Sequence, residues 1–269
     1  MKDRLRALVA ESRDRTEVRH LVREYVQHYI LYLLYRTKHY RLVVFTGGTA
    51  LRIHFGLPRF SEDLDFSAAG PGDLLDFGAM RADVLAELGL AGYEVTEKPR
   101  RSGAIAGTFI RFPGLLHDLG LSALAAETLS VRIEVDLNPP AGGVSALDLV
   151  NRYHLLYQVQ RHDLPTLLAG KLHALHFRPY PRGRDAYDLL WFLTAQKDVG
   201  PNLEFLNNAA RQTEAAPPLF NAANWRELTA RRLAILDLAQ AREQVLPFLE
   251  RPEEAELMTQ QSFAALLGG

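Results

Sequence analysis

Two aspartates spaced by two, Asp63 and Asp65, are the first residues of this chain whose type and spacing point to chemistry. They lie in SEDLDFS, where Leu64 and Phe66 alternate with them. The segment is therefore expected to be a strand with both carboxylates on one face. Two acids on one face repel unless a positive charge lies between them. A hard divalent cation such as Mg²⁺, which prefers oxygen ligands, meets that need. A second acidic pair, Glu134 and Asp136, stands on the polar side of SVRIEVDL, residues 130–137. The other side is Val131, Ile133, Val135 and Leu137. A sheet with one face packed on helices produces this alternation. Taken alone, such acids face solvent. They gain meaning if their strand shares a face with Asp63 and Asp65.

Three further segments could complete that chemistry. An apolar run, Leu42 to Phe45, leads into Gly47-Gly48, and a helix is expected from Thr49 to about Phe55. Glycine allows positive φ and close approach of a ligand, and the free N–H groups of the helix would face the turn, where a phosphate fits. By itself a double glycine makes only a tight turn; the acids downstream give it weight. Lys171 lies on or beside the stripe Leu164, Leu167, Leu168, Leu172 and Leu175. It either snorkels to solvent or aims its ammonium into a cleft. After the break FRPYPRG, a helix begins at RDAYDLLWFL. Asp185 stands near its start, where a carboxylate can cap free N–H groups, and Asp188 lies three residues on, on a neighbouring part of the same face. These parts fit nucleotidyl transfer by two-metal catalysis. A glycine turn holds the triphosphate, two carboxylates hold metal ions, a third also activates the attacking hydroxyl, and a lysine neutralises phosphates.

The elements that must position these groups follow from periodicity. Residues 3–37 read as helical, with a stripe from Val18 to Ile30 that thickens into YILYLLY, expected to be buried. An amphipathic helix is expected over 74–90, with Leu74, Phe77, Met80, Val84, Leu85 and Leu88 inward. Strand-like runs follow at 93–96 and 107–112. Between them EKPRRSG reads as a basic turn, either a solvated hairpin tip or a contact for a polyanion. Residues 141–165 show no single pattern, and from Asp163 the chain reads as helices, including 203–266 with a break at Pro217-Pro218. The fold class expected is α+β, a mixed sheet with flanking helices followed by a helical domain. The expected domains are 1–145 and 146–269, with a loose boundary near 140–150.

Composition bounds the function classes. The 269 residues carry 31 Lys+Arg and 32 Asp+Glu, a formal net charge of −1, so bulk charge does not announce a nucleic-acid binder, although a basic face remains compatible with it. The chain has no cysteine, which removes disulfides, thiolate metal sites and cysteine nucleophiles. The first twenty residues are too charged for a signal peptide, and no run approaches the ~18 apolar residues of a membrane span. The expectation is a soluble, cytoplasmic protein without membrane association. There is no HExxH, GxSxG, Walker A or dinucleotide fingerprint. His54, His173 and His176 are expected at the surface or in packing.

GGTALRIHFGLPRFSEDLDF resembles the first motif of the AbiEii-type nucleotidyltransferases, within the polymerase-β-like superfamily. That motif is GG with Ser or Thr, followed by DxD, often preceded by R-x-S. Gly47, Gly48, Thr49, Arg59, Ser61, Asp63 and Asp65 stand at those positions. A second motif, KLxAL, matches Lys171 to Leu175, and a third, an arginine-flanked D-x-x-D-L, matches Arg182 to Leu189. In the right order, the three cover about half of the chain. The resemblance implies a polymerase-β-like core closed by the helical domain. It implies Asp63 and Asp65 as metal ligands, with Glu134 as the strand carboxylate and Asp136 as the other candidate. It implies Lys171 on the nucleotide phosphates, Asp185 as a residue needed for activity, and Gly47, Gly48, Thr49, Arg59 and Ser61 at the nucleotide. It implies that Arg182 and Arg184 bind phosphates or fix Asp185 by pairing. It also implies a Mg²⁺-dependent toxin of a toxin–antitoxin system with an antitoxin partner. Such an enzyme transfers NMP from an NTP to an RNA hydroxyl, at the acceptor end of tRNA, and blocks translation. Two alternatives stay open: nucleotidylation of a small molecule or protein, and a non-catalytic nucleotide-binding module.

Overall fold

The structure, a computed structural model, describes residues 2–11, 14–180 and 182–268. It divides into two compact units. The first holds residues 1–50, 60–138 and 146–161, and the second holds 51–59, 139–145 and 162–269.

In the first unit, α1 (Lys2–Glu11) and α2 (Arg15–Arg36) precede the sheet. Asp14 caps α2, its carboxylate accepting from the N–H of Thr16 at 2.7 Å. The expected burial of the tyrosine-rich end of α2 is found: Tyr29, Ile30, Leu31, Leu33 and Leu34 are all buried. The strands are β1 (Val43–Thr46), β2 (Asp63–Ala68), β3 (Thr96–Ser102), β4 (Ile105–Phe112), β5 (Leu129–Asp136), β6 (Ser145–Arg152) and β7 (Leu155–His162). Among the described residues they form one mixed sheet in the order β3-β4-β5-β2-β1-β7-β6. β1 runs antiparallel to β2 and parallel to β7, β2 runs parallel to β5, and β4 is antiparallel to both β3 and β5. Between β2 and β3 lies α4 (Phe77–Leu90), and α5 (Leu115–Asp118) follows β4. Helix α2 packs against α4 and β5. Val131, Ile133 and Val135 are buried with Leu64 and Phe66. Their alternate neighbours carry the carboxylates.

Four expectations need correction. The double glycine is not a turn before the helix: α3 is Gly47–Phe55, with Gly47 at φ 79°. Helix α4 begins at Phe77 and not at Leu74, because Asp76 caps it by accepting from Ala79 N, and Leu74 is exposed. The basic stretch at 97–102 is not a hairpin tip but strand β3, fully paired with β4. A proline is tolerated there because β3 is the sheet edge. Residues 141–165 hide the β6–β7 hairpin. Its turn residues, Tyr153 and His154, both adopt positive φ, at 55° and 62°, where glycine or asparagine is the usual sign of a turn.

The second unit is built on α6 (Leu164–Phe177), α7 (Gly183–Ala195), α8 (Leu203–Thr213), α9 (Trp225–Ala234), α10 (Leu238–Val245) and α11 (Gln260–Leu267). α6 packs on α7, α8 and α9, while α7 packs on α10 and α11. Buried Leu168, Leu172, Leu175, Leu189, Phe192, Leu206 and Leu233 fill the space between them. Side-chain caps from Asp163, Asn202, Asp237 and Thr259 satisfy N–H groups at four of the helix starts.

Candidate active site

Strand register brings the acids of the first unit together. Asp65 lies opposite Glu134 and Asp63 opposite Arg132 in the β2–β5 ladder. Residues opposite one another share a face, so Asp63, Asp65, Arg132 and Glu134 form one patch. Asp136 is further along the same face, opposite Ser67. Its carboxylate accepts from the N–H of Asn138 at 2.9 Å, which closes the turn after the strand. Burial raises the Asp136 carboxyl above its ordinary value, and that hydrogen bond offsets only part of the effect.

Arg132 sits inside the patch and was not singled out from the sequence. Its Nη2 donates to Asp63 Oδ2, and its Nη1 lies 3.2 Å from Glu134 Oε1. Burial alone would lower its pKa, but Asp63, Glu134 and Asp65 together raise it. The repulsion between the acids is therefore relieved by a guanidinium, and the spacing of Asp63 and Asp65 does not by itself require a metal ion. Arg132 precedes Glu134 by two in an alternating strand, a signal that was present in the sequence.

The first helical turn of α3 lies beside Asp65. A Cβ placed on Gly47 would fall 2.6 Å from Asp65 Oδ2, and the positive φ independently excludes most other residues. Thr49 is buried, and its hydroxyl donates to the carbonyl of Asp63, tying α3 to β2. Gly48 is buried and Ser61 half-buried, with the Ser61 carbonyl accepting from Gln27 Nε2 at 3.1 Å.

The acids of the second unit belong to a buried ionic cluster. Arg59, at 2% side-chain exposure, donates from Nε and Nη2 to the two oxygens of Asp188, each at 2.6 Å. Lys171 Nζ is 2.7 Å from Asp188 Oδ2 and 3.4 Å from Asp185 Oδ1. Arg178 Nη1 reaches Asp185 Oδ2 at 2.6 Å. Burial pushes the Asp188 carboxyl up, but Arg59 and Lys171 outweigh it and hold it below the usual carboxylate range. Asp185 does not cap α7 with its side chain, since Arg178 and Lys171 take its carboxylate. Arg182 is exposed, and Arg184 lies over the Phe248 ring at 4.6 Å. Lys171 therefore neither snorkels freely nor stands alone; two carboxylates fix its ammonium. His173 and His176 pack against Phe177, as expected of packing residues.

Among the described residues no three Asp, Glu or His side chains converge closely enough to hold a metal by themselves. Mg²⁺ is nevertheless commonly held by one or two carboxylates with substrate phosphates completing its shell, and the oxygen donors of Asp63 and Asp65 fit that chemistry.

Comparison with known proteins adds three findings. A family model described as nucleotidyl transferase AbiEii toxin, type IV TA system, matches residues 30–267. A crystal structure of a candidate nucleotidyltransferase from H. pylori aligns with TM-score 0.53 at 16% identity, covering 92% of this chain and 94% of that one. The structure of JHP933 from Helicobacter pylori aligns with TM-score 0.51 at 15% identity, covering 92% and 91%. At that identity the two structures speak to the fold alone. No curated protein sequence matches the chain.

Proposed function

The chain belongs to the AbiEii family of nucleotidyltransferase toxins of type IV toxin–antitoxin systems, and from this we propose that it transfers NMP from an NTP to the 3′-hydroxyl of an RNA, with the acceptor end of tRNA as the expected substrate and a cognate antitoxin as its partner. The observation that carries the reading is the β2–β5 register, which sets Glu134 opposite Asp65 and beside Asp63 on one sheet face.

The acceptor oxygen attacks the α-phosphorus, forming one P–O bond. The bond from that phosphorus to the bridging oxygen breaks, and pyrophosphate leaves with the electron pair. Glu134 accepts the proton of the attacking hydroxyl. Asp63 and Asp65 would hold Mg²⁺, which when bound neutralises phosphate charge and makes the attacking hydroxyl more acidic. Arg132 pairs with Asp63 and Glu134 and keeps their carboxylates oriented until the ion and the nucleotide arrive. Gly47 and Gly48 open the first turn of α3 to a phosphate, with Thr49 fixing that turn on β2. Lys171 is assigned to the triphosphate on the motif position that it occupies. Asp185 and Asp188 set its position, and Arg59 anchors Asp188 from inside the fold. Ser61, Arg182 and Arg184 are assigned to the nucleotide on the motif positions that they occupy.

The test is incubation of the purified chain with Mg²⁺, each α-³²P-labelled NTP in turn and total RNA, followed by sequencing of RNA 3′ ends. Label at RNA 3′ ends that disappears when Mg²⁺ is chelated is the expected result. Label confined to protein or to small alcohols would replace the acceptor, and no transfer to any of them would overturn the reading.

A further inference from the structure

The β3–β4 hairpin forms the edge of the sheet that carries the acids, and register fixes which of its residues share their face. Arg100 pairs with Gly107, Gly107 with Glu134, and Glu134 with Asp65, one row across four strands. The adjacent row runs Lys98, Phe109, Arg132, Asp63. Arg111 stands two residues beyond Phe109 on the same face. At the usual strand spacing, Arg100 lies about 10 Å from the Glu134 position and about 15 Å from that of Asp65. Gly107 leaves the row open between them, since a Cβ there would meet Glu134 Cγ at 3.2 Å.

The charges on this edge are available. Lys98, Arg100 and Arg111 are exposed, and among the described residues none of them makes an ion pair or a side-chain hydrogen bond. Glu97, the acid within β3, points to the opposite face, where it binds Arg81 at 2.6 Å and leaves the cations uncompensated. Across the whole chain positive and negative residues nearly cancel, so this is a local concentration of charge. Phe109 is half-exposed between Lys98 and Arg111. Cations that follow a backbone, together with an aromatic ring on which a base can stack, are how proteins hold single-stranded nucleic acid. Strand addition by a protein partner fits this edge poorly, because Pro99 removes a donor from it.

We propose that the Lys98, Arg100, Phe109 and Arg111 face of the β3–β4 edge is the docking surface for the RNA acceptor. It holds the strand so that the 3′-hydroxyl runs along the sheet toward Glu134 and Asp65. This rests on the nucleotidyl-transfer reading above.

The experiment uses the full chain and a 5′-fluorescein RNA hairpin with a short single-stranded 3′ overhang. Binding is followed by anisotropy over a salt series, and transfer to the same RNA is assayed in parallel. The triple variant K98Q/R100Q/R111Q is expected to bind the RNA at least about 10-fold more weakly, with the slope of log K against log salt shallower by about 2. Phe109→Ala is expected to lose about 5- to 100-fold in affinity with its slope unchanged. Both should raise KM for RNA while leaving kcat and KM for the NTP as they are, and Arg100→Lys should keep the salt slope. Thermal unfolding of each variant checks that these exposed changes leave the fold intact. Unchanged RNA affinity and KM in the triple variant, with wild-type transfer to RNA intact, would overturn the docking surface and leave the transfer reading standing. A rise in KM for the NTP instead of the RNA would give the surface to the triphosphate and equally overturn the proposal. Absence of both RNA binding and RNA labelling by the wild type would overturn the two together.

Discussion

The acids of the two units are held in opposite ways. Asp63 and Glu134 stand on strands with side-chain exposures of 21% and 24%, and among the described residues their one ion-pair partner is Arg132, itself partly exposed. Asp188 is wholly buried and Arg59 nearly so, with both oxygens of one and two nitrogens of the other engaged. A half-buried carboxylate can exchange its partner for water, an ion or a phosphate at small cost. A buried pair cannot, because any partner lost leaves a charge without solvent. The first arrangement suits residues that must change partners during a reaction. The second suits residues that fix others in place, here Lys171.

That contrast can be broken by experiment. Asp188→Ala removes the carboxylate that takes two nitrogens of buried Arg59 and holds the Lys171 ammonium, and a loss of about 3–5 kcal/mol in unfolding free energy is expected from urea denaturation. Replacing both Arg59 and Asp188 by apolar residues, as in Arg59→Met with Asp188→Leu, should recover part of that loss, with Lys171 keeping Asp185 as its carboxylate; a double variant as unstable as the single one would show that the Arg59–Asp188 pair does not act as a unit. Asp65→Ala should do the reverse. Its unfolding free energy should stay within about 1 kcal/mol of the wild type, while transfer falls about 10²- to 10³-fold, on the order of 3–4 kcal/mol in the barrier. Full activity in Asp65→Ala would remove the carboxylate face from the chemistry.

Acid supplies the separation that is smallest per residue. Burial holds His162 and His176 at a pKa of about 4, below the ordinary 6.5, and Arg232 adds to the effect at His176. Between those values the unfolded chain takes up protons that the folded chain refuses. Stability in the second unit should therefore fall as pH drops from about 6.5 to about 4, by roughly 2–3 kcal/mol for each histidine. Both tryptophans, Trp191 and Trp225, lie in that unit, so their fluorescence reports its unfolding. A urea midpoint that stays flat across this window would show that the two imidazoles are not kept neutral by the fold.

Much of the carboxylate face was legible because strand periodicity is a strong local rule. DLD and VRIEVD carry their alternation in the sequence, and the shared face follows once β2 and β5 pair. The ionic cluster was less legible. Arg59 is more than a hundred residues from Lys171, Arg178 and Asp188, and nothing local says which acid a given cation will meet. Asp185 illustrates this, because position alone suggests a helix cap, whereas the tertiary fold gives its carboxylate to Arg178 and Lys171. The β6–β7 hairpin was invisible for a different reason, since its left-handed turn uses Tyr153 and His154 and carries no glycine.

By itself the sequence determined which residues could do chemistry and that Asp63 and Asp65 would share a face, because a strand alternates its side chains whatever surrounds it. It also determined the family, through three motifs in order. Only the tertiary structure decided that Glu134 lies opposite Asp65, that Arg132 stands between the acids, and that the basic run 97–102 is a sheet edge and not a loop tip. Those facts depend on which strands pair and in what register, and that is settled by burying the apolar faces of Leu64, Phe66, Val131, Ile133 and Val135 together, a long-range outcome that no local pattern fixes.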